Sequence, residues 1–227
     1  MADEDRGASR RGGLDPTTRS LVAVAVAVAT GDVAVLEQRL VLARATEVPE
    51  RWVDELLLQS LLNVGYARGL QAFGVWRAVS PRAAGEGVSH DAWPGWAERG
   101  ARVCAAVYGR TYHKLLLNLR ALHPALEALV VVDAYGKLIG RDGLDLQRRE
   151  LCTLAEIAVL DTPRQFQAHL RGALNTGSTS EEVDDALALV EHDVAAAQAL
   201  RMWQLWAEVR ARAVRDPRPG GDAVRNV

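Results

Sequence analysis

Apolar residues recur at three- and four-residue spacing along most of this chain, and proline and glycine fall mainly between those stretches. Thr46-Glu47-Val48-Pro49-Glu50 predicts a helix start with Pro49 at or near the first position. Trp52, Val53, Leu56, Leu57 and Leu61 then form one apolar face. Asp161-Thr162-Pro163 predicts a second start, followed by Phe166, His169, Leu170, Ala173 and Leu174, with Gly177 as the residue beyond the helix end. Ser178-Thr179-Ser180-Glu181-Glu182 holds two overlapping capping boxes before a helix that turns Val183, Ala186, Leu187 and Val190 inward. Leu21–Ala29 alternates valine and alanine in the manner of a strand. Both of its faces are apolar, so the alternation carries little information.

A shift of 130 positions resolves that segment. It aligns Arg19 with Arg149, Leu21 with Leu151, Ala25 with Ala155, Leu40 with Leu170 and Ala43 with Ala173. Val53, Asp54, Leu57, Leu70 and Trp76 meet Val183, Asp184, Leu187, Leu200 and Trp206, without a gap. Leu21–Ala29 falls opposite Leu151–Val159, which has an amphipathic helical pattern, and is therefore expected as a fully buried helix. The chain is expected to be all-α, with two tandem pseudo-repeated units over 15–80 and 145–212. A connecting segment, 81–144, is expected to carry one helix, Trp96–His123, and a looser glycine-rich piece, Tyr135–Gly143. Residues 1–14 and 213–227 are expected to be disordered tails.

Length and composition narrow the function. The chain of 227 residues can bury a sizeable core. A net charge of -2 offers no strongly basic surface for nucleic acid, and 5% aromatic content offers few base-stacking platforms. Leu21–Ala29 is far shorter than the ~20 residues of a membrane span. Neither a secretory signal nor a disulfide framework is expected: Cys104 and Cys152 lie far apart in apolar contexts, as in a reduced cytoplasmic protein. No histidine pair has metal-ligand spacing and no glycine-rich nucleotide motif occurs, so neither metal nor cofactor is expected.

The candidate chemistry lies in Arg149–Glu182. Glu150 and His169 sit on two consecutive helices joined by a short turn, and a carboxylate with an imidazole is the minimum equipment for moving a proton. Thr162, Gln165, Phe166, His169 and Ala173 share one helical face. Read alone, His169 is equally a core histidine with one satisfied ring nitrogen, and Glu150 a solvated carboxylate of a first helical turn.

This segment resembles the carboxymuconolactone decarboxylase family, which includes the AhpD-like alkylhydroperoxidases. The resemblance rests on Arg149-Glu150-Leu151, Gln165, His169-Leu170, Ala173-Leu174, Gly177 and Glu181-Glu182-Val183. Arg99-Gly100, Val107-Tyr108-Gly109, His123-Pro124 and Tyr135-Gly136 extend it. It implies an AhpD-like helical bundle that assembles as a homo-oligomer, here a trimer of duplicated chains or a hexamer. The peroxidase branch has the pattern Glu-x(11)-Cys-x-x-Cys-x(3)-His. Counted back from His169, its glutamate falls on Glu150 and its two cysteines on Gln165 and Thr162. Threonine and glutamine cannot perform thiol chemistry, so a dithiol peroxidase is rejected.

The resemblance then implies a cofactor-free decarboxylase acting on a small carboxylated lactone or ring compound. His169 would donate a proton or hydrogen-bond an oxyanion, and Glu150 would orient it. Arg149, Thr162, Gln165 and Tyr66 are the candidate substrate-binding residues. The first half cannot repeat the site, because Arg39 and Ser20 stand where His169 and Glu150 stand in the second. Its Asn63–Leu70 stretch resembles the family's aromatic–glycine segment, which suggests Tyr66 as a wall supplied to the other half's site. Two other readings stay open: a family member that binds or assembles without catalysis, and a different acid–base lyase, isomerase or hydrolase in the same pocket.

Overall fold

The computed structural model describes residues 13–81 and 87–215, and helices account for most of them, with no strand among the described residues. Helix α1 (Pro16–Thr30) starts where the Asp15 carboxylate accepts from the Thr18 N–H, has Pro16 in its first turn, and stops at Gly31 in the left-handed region, φ 78°. Every residue from Leu21 to Ala29 is buried, as expected of a helix that is apolar all round. Helices α2 (Val33–Ala45) and α3 (Glu50–Val79) complete the first unit. Helix α4 (Trp93–Tyr108), α5 (Tyr112–Leu122) and α6 (Leu126–Ala128), which runs on into a π-helical stretch over Leu129–Ile139, form the connection. Helices α7 (Leu146–Val159), α8 (Pro163–Asn175), α9 (Ser180–Glu191) and α10 (Ala196–Arg215) form the second unit. No helix among the described residues is long and apolar enough to cross a membrane.

The duplication is visible in the caps as well as in the helices. Asp15 and Asp145 are matching N-caps for α1 and α7. Helices α2 and α8 both have 13 residues and start at counterpart positions. Thr46 and Thr176 each send a hydroxyl back to two carbonyls of the preceding turn. Beyond them Glu47 and Gly177 take positive φ, and the next residue's N–H returns to Ala43 and Ala173 respectively. The Trp76 indole donates to Asp54 at 2.8 Å and its counterpart Trp206 to Asp184 at 2.6 Å. The copies differ in the layout of their last helices. Helix α3 continues past a kink at Gly65 (φ 75°, ψ 172°), where the second unit breaks between α9 and α10.

The units meet through α1 and α7, related by an approximate two-fold axis. Arg148 Nε donates to Thr18 Oγ1 at 2.8 Å, and these two residues are counterparts 130 positions apart. Arg149 pairs with Glu55 across the interface, and their counterparts Arg19 and Asp185 pair in the reverse sense. Such reciprocal contact is what a two-fold requires. Leu21, Leu56, Leu57, Leu151, Leu154 and Leu187 from both units are fully buried in one shared core.

The connecting segment differs from expectation in two places. The single helix expected over Trp96–His123 breaks at Gly109 (φ 51°, ψ -129°), which ends α4 and turns the chain into α5. The piece expected to be loose from Tyr135 is packed instead. A Cβ on Gly136 would stand 2.0 Å from the Trp96 carbonyl oxygen, and one on Gly100 1.9 Å from that of Val131. These glycines let α4 and the π-helical stretch touch backbone to backbone. Only the loop from Gly140 into α7 remains irregular. Residues 1–12 and 216–227 of the expected tails lie outside the described residues, whereas 213–215 belong to α10.

Candidate active site

Glu150 lies on the fifth residue of α7 and is 1% exposed, a placement that is costly for a carboxylate without a partner. Its partner is His169 on α8. The His169 Nδ1 and Glu150 Oε2 are 2.8 Å apart, and the histidine side chain is 12% exposed. With Nδ1 held by the carboxylate, Nε2 is the ring nitrogen left for another molecule. Gly172, on the next turn of α8, makes this pairing possible: a Cβ there would lie 2.3 Å from Glu150 Oε2 and 3.0 Å from Val107 Cγ1. Asn175, near the end of α8, donates from Nδ2 to the Val107 carbonyl at 2.5 Å and fastens the site to α4.

The connecting segment supplies the rest of the wall. The Tyr108 ring stands edge-on to His169, centroids 6.3 Å apart, and edge-on to Tyr135 at 6.0 Å. Burial pushes the Tyr108 phenol up to about 12 and the charge of Glu150 adds to this, against a hydrogen-bond contribution from Tyr135. Burial holds Tyr135 well above the usual phenol range, with Tyr108 and Glu150 acting in the same sense. Both phenols are therefore neutral near pH 7. Burial and the Glu150 charge also push the Cys104 thiol up to about 12. Burial and Glu156 hold Cys152 well above the ordinary thiol range. Neither cysteine is disulfide-bonded, and neither is set up as a thiolate nucleophile.

The residues expected at the site separate into two groups. Glu150 and His169 are brought together. Arg149 is not available to a substrate: it is 0% exposed, and its five N–H donors go to the Leu144, Arg141 and Glu55 carbonyls, the Glu55 carboxylate and Gln59. Its spacing on α7 turns it toward α3 and away from the face that carries Glu150. Thr162 is the exposed N-cap of α8, and Gln165 in the next turn is exposed too, because Phe166 takes the inward position. Tyr66 is 73% exposed on α3 just past the Gly65 kink, and the aromatic ring packed on His169 belongs to Tyr108. Ser20, the counterpart of Glu150, accepts a hydrogen bond from the Thr46 hydroxyl at 2.9 Å, so the first unit fills the equivalent place with an uncharged contact.

Sequence reasoning missed Tyr108, Tyr135, Gly172 and Cys104 as site residues. Val107-Tyr108-Gly109 and Tyr135-Gly136 were visible as short motifs. Tyr108 reaches His169 and Tyr135 reaches Tyr108 through the packing of α4 against α8 and the π-helical stretch. A cavity of about 570 Å³ between α4 and the loop into α7 is lined by neither Glu150 nor His169.

Comparison with known proteins agrees with this architecture. The model of the carboxymuconolactone decarboxylase family matches two segments, residues 2–78 and 127–208. Among curated proteins the chain is similar to Peroxisomal protein 2 of Saccharomyces cerevisiae, 31% identical over 88 residues. That match covers 38% of this chain, and the chain spans about a third of the yeast protein's length, 31%. With the family match falling on both halves of a duplicated helical fold, the chain belongs to the carboxymuconolactone decarboxylase family.

Proposed function

We propose that this protein is a cofactor-free carboxy-lyase of the decarboxylase type, acting on a small carboxylated lactone or ring compound. The observation that carries the reading is the buried Glu150 carboxylate held 2.8 Å from His169 Nδ1, in space kept open by Gly172. Loss of CO2 leaves the electron pair of the broken C–C bond in the substrate's conjugated system, and the reaction ends when a proton reaches carbon. His169 delivers that proton from Nε2, and Glu150 fixes the ring and offsets the imidazolium charge. The neutral phenols of Tyr108 and Tyr135 keep the surroundings polar without adding charge. Thiol peroxidase chemistry is disfavoured by Thr162 and Gln165 at the cysteine positions and by the raised thiols of Cys104 and Cys152.

One observation favours a second reading, a family member that binds or assembles without turnover: the cavity of about 570 Å³ is lined by neither Glu150 nor His169. An absorbance assay on candidate lactones separates the two. Turnover that drops at least a hundredfold in His169→Ala, and less in Glu150→Gln, supports the lyase; equal turnover in His169→Ala removes His169 from the chemistry. The proposal includes a homotrimer of duplicated chains in the cytoplasm. Exposed Tyr66 and Leu70, one turn apart on α3 beyond the Gly65 kink, are consistent with a face that meets another copy. A light-scattering mass of one chain would remove that part.

A further inference from the structure

The 570 Å³ cavity lies between α4 and the loop that leads into α7, a size typical of small-molecule sites. Four arginines line it (Arg99, Arg102, Arg141 and Arg148), against two carboxylates, Asp142 and Asp145, so its lining carries a net charge of 4 − 2 = +2. The arginines are differently engaged. Arg141 holds Glu55, and Arg148 holds Asp145 and Asp15 while its guanidinium covers Trp52 at 4.3 Å. Asp145 is further tied down as the cap of α7. On α4 the situation is different. Arg99, which lines the cavity, donates from Nε to the Gly136 carbonyl at 2.7 Å, a bond that anchors its stem and leaves its two terminal nitrogens without a hydrogen-bond partner among the described residues. Arg102 follows one turn later on the same face, and no carboxylate among the described residues pairs with it. Val103 and Ala106 of the same helix, with Ile139 and Leu144, give the cavity an apolar part to its lining.

We propose that this cavity is a binding site for a small organic polycarboxylate. Two forked guanidiniums one helical turn apart suit two carboxylate groups of one molecule, each bound by paired N–H donors. The apolar part of the lining suits the carbon skeleton between them. The positive balance favours an anion, and the anchoring of Arg99 lowers the entropy lost on binding. The inference does not depend on the lyase reading, because binding needs no turnover and uses neither Glu150 nor His169.

Isothermal titration of the full chain at low ionic strength tests it, with succinate, citrate, acetate and inorganic phosphate as probes. Saturable one-to-one binding of succinate or citrate, at least tenfold tighter than acetate and tighter than phosphate, is the expected result. Arg102→Gln should weaken it severalfold, and Arg99→Gln with Arg102→Gln at least tenfold. Arg102 is exposed and outside the described ion pairs, so its variant tests the site without disturbing the fold. Arg212→Gln, on α10, and His169→Ala should leave the affinity unchanged, and the latter separates this site from the proposed reaction. Absence of saturable binding, phosphate binding tighter than either polycarboxylate, or unchanged affinity in the double variant would overturn the proposal.

Discussion

At the scale of single residues, the candidate site turns on what is missing at position 172. A hydrogen there, in place of a methyl, is what lets a buried carboxylate reach Nδ1 of His169. Gly172→Ala would put a carbon 2.3 Å from Glu150 Oε2, and the carboxylate, as the flexible end of its side chain, would move before the backbone does. We expect a stability loss of about 1–3 kcal/mol from the overpacking. We also expect loss of the single His169 tautomer, read from the imidazole nitrogen shifts of labelled protein. A variant with unaltered shifts would show that Gly172 does not position the pair. Arg149 teaches the complementary point. It directly precedes Glu150, yet one step along a helix turns a side chain by about 100°, enough to separate an internal ion pair from the site.

At the scale of elements, the connecting segment matters more than its sequence suggests. Helix α4 and the π-helical stretch touch through Gly100 and Gly136, and this contact sets Tyr135 against Tyr108, which in turn packs on His169. Gly136→Ala would place a methyl 2.0 Å from a backbone carbonyl oxygen that cannot rotate away, so the two elements must separate. The expected cost is about 2 kcal/mol or more, measured by chemical denaturation, together with a changed Tyr–His contact in NMR spectra. Gly74→Ala is the control. It sits in α3 with nothing within 4 Å of the added carbon, and should stabilise by up to about 1 kcal/mol through helix propensity. If both variants behaved alike, the close approach would not be what holds the segment.

At the scale of the whole molecule, the approximate two-fold makes unequal use of equivalent positions. Arg149–Glu55 is buried on both sides, whereas its counterpart Arg19–Asp185 is 48% and 37% exposed. Removing Arg149 leaves the buried Glu55 carboxylate with Arg141 alone and unpairs the carbonyls that Arg149 holds, so Arg149→Ala should cost about 3 kcal/mol. Arg19→Ala should cost less than about 1 kcal/mol. Equal costs would mean that burial does not distinguish the pairs. A second polar link also joins the units: Glu156 of α7 accepts from the Ser60 hydroxyl at 2.5 Å and from Asn63 at 2.6 Å, both on α3. Burial raises its carboxyl from 4.5 to about 7, against those hydrogen bonds. The folded state therefore holds this proton more tightly than the unfolded one. The resulting stability is fully present below about pH 4.5 and is lost as pH rises through about 7. Glu156→Gln should flatten that decline and gain up to about 3 kcal/mol at pH 8 relative to the parent. An unchanged slope in denaturation across pH 5–8 would sink the assignment to Glu156.

The helices, their caps and the internal repeat were legible in the sequence because they depend on local physics. Thr179 and Gly177, read in the sequence as a cap and a helix end, satisfy or release backbone groups within a turn of themselves, as Asp15, Asp145 and Gly31 do in the structure, and apolar periodicity states which face must leave water. The pairing of Glu150 with His169 was partly legible, since a fixed spacing on two helices joined by a short turn limits where the side chains meet. Contacts between distant segments were not. The engagement of Arg149 by Glu55, the exposure of Tyr66, Thr162 and Gln165, the convergence of Tyr108 and Tyr135, and the arginine-lined cavity depend on how helices dock. Docking is decided by shape and by backbone-to-backbone approach at Gly100, Gly136 and Gly172, quantities that no periodicity records.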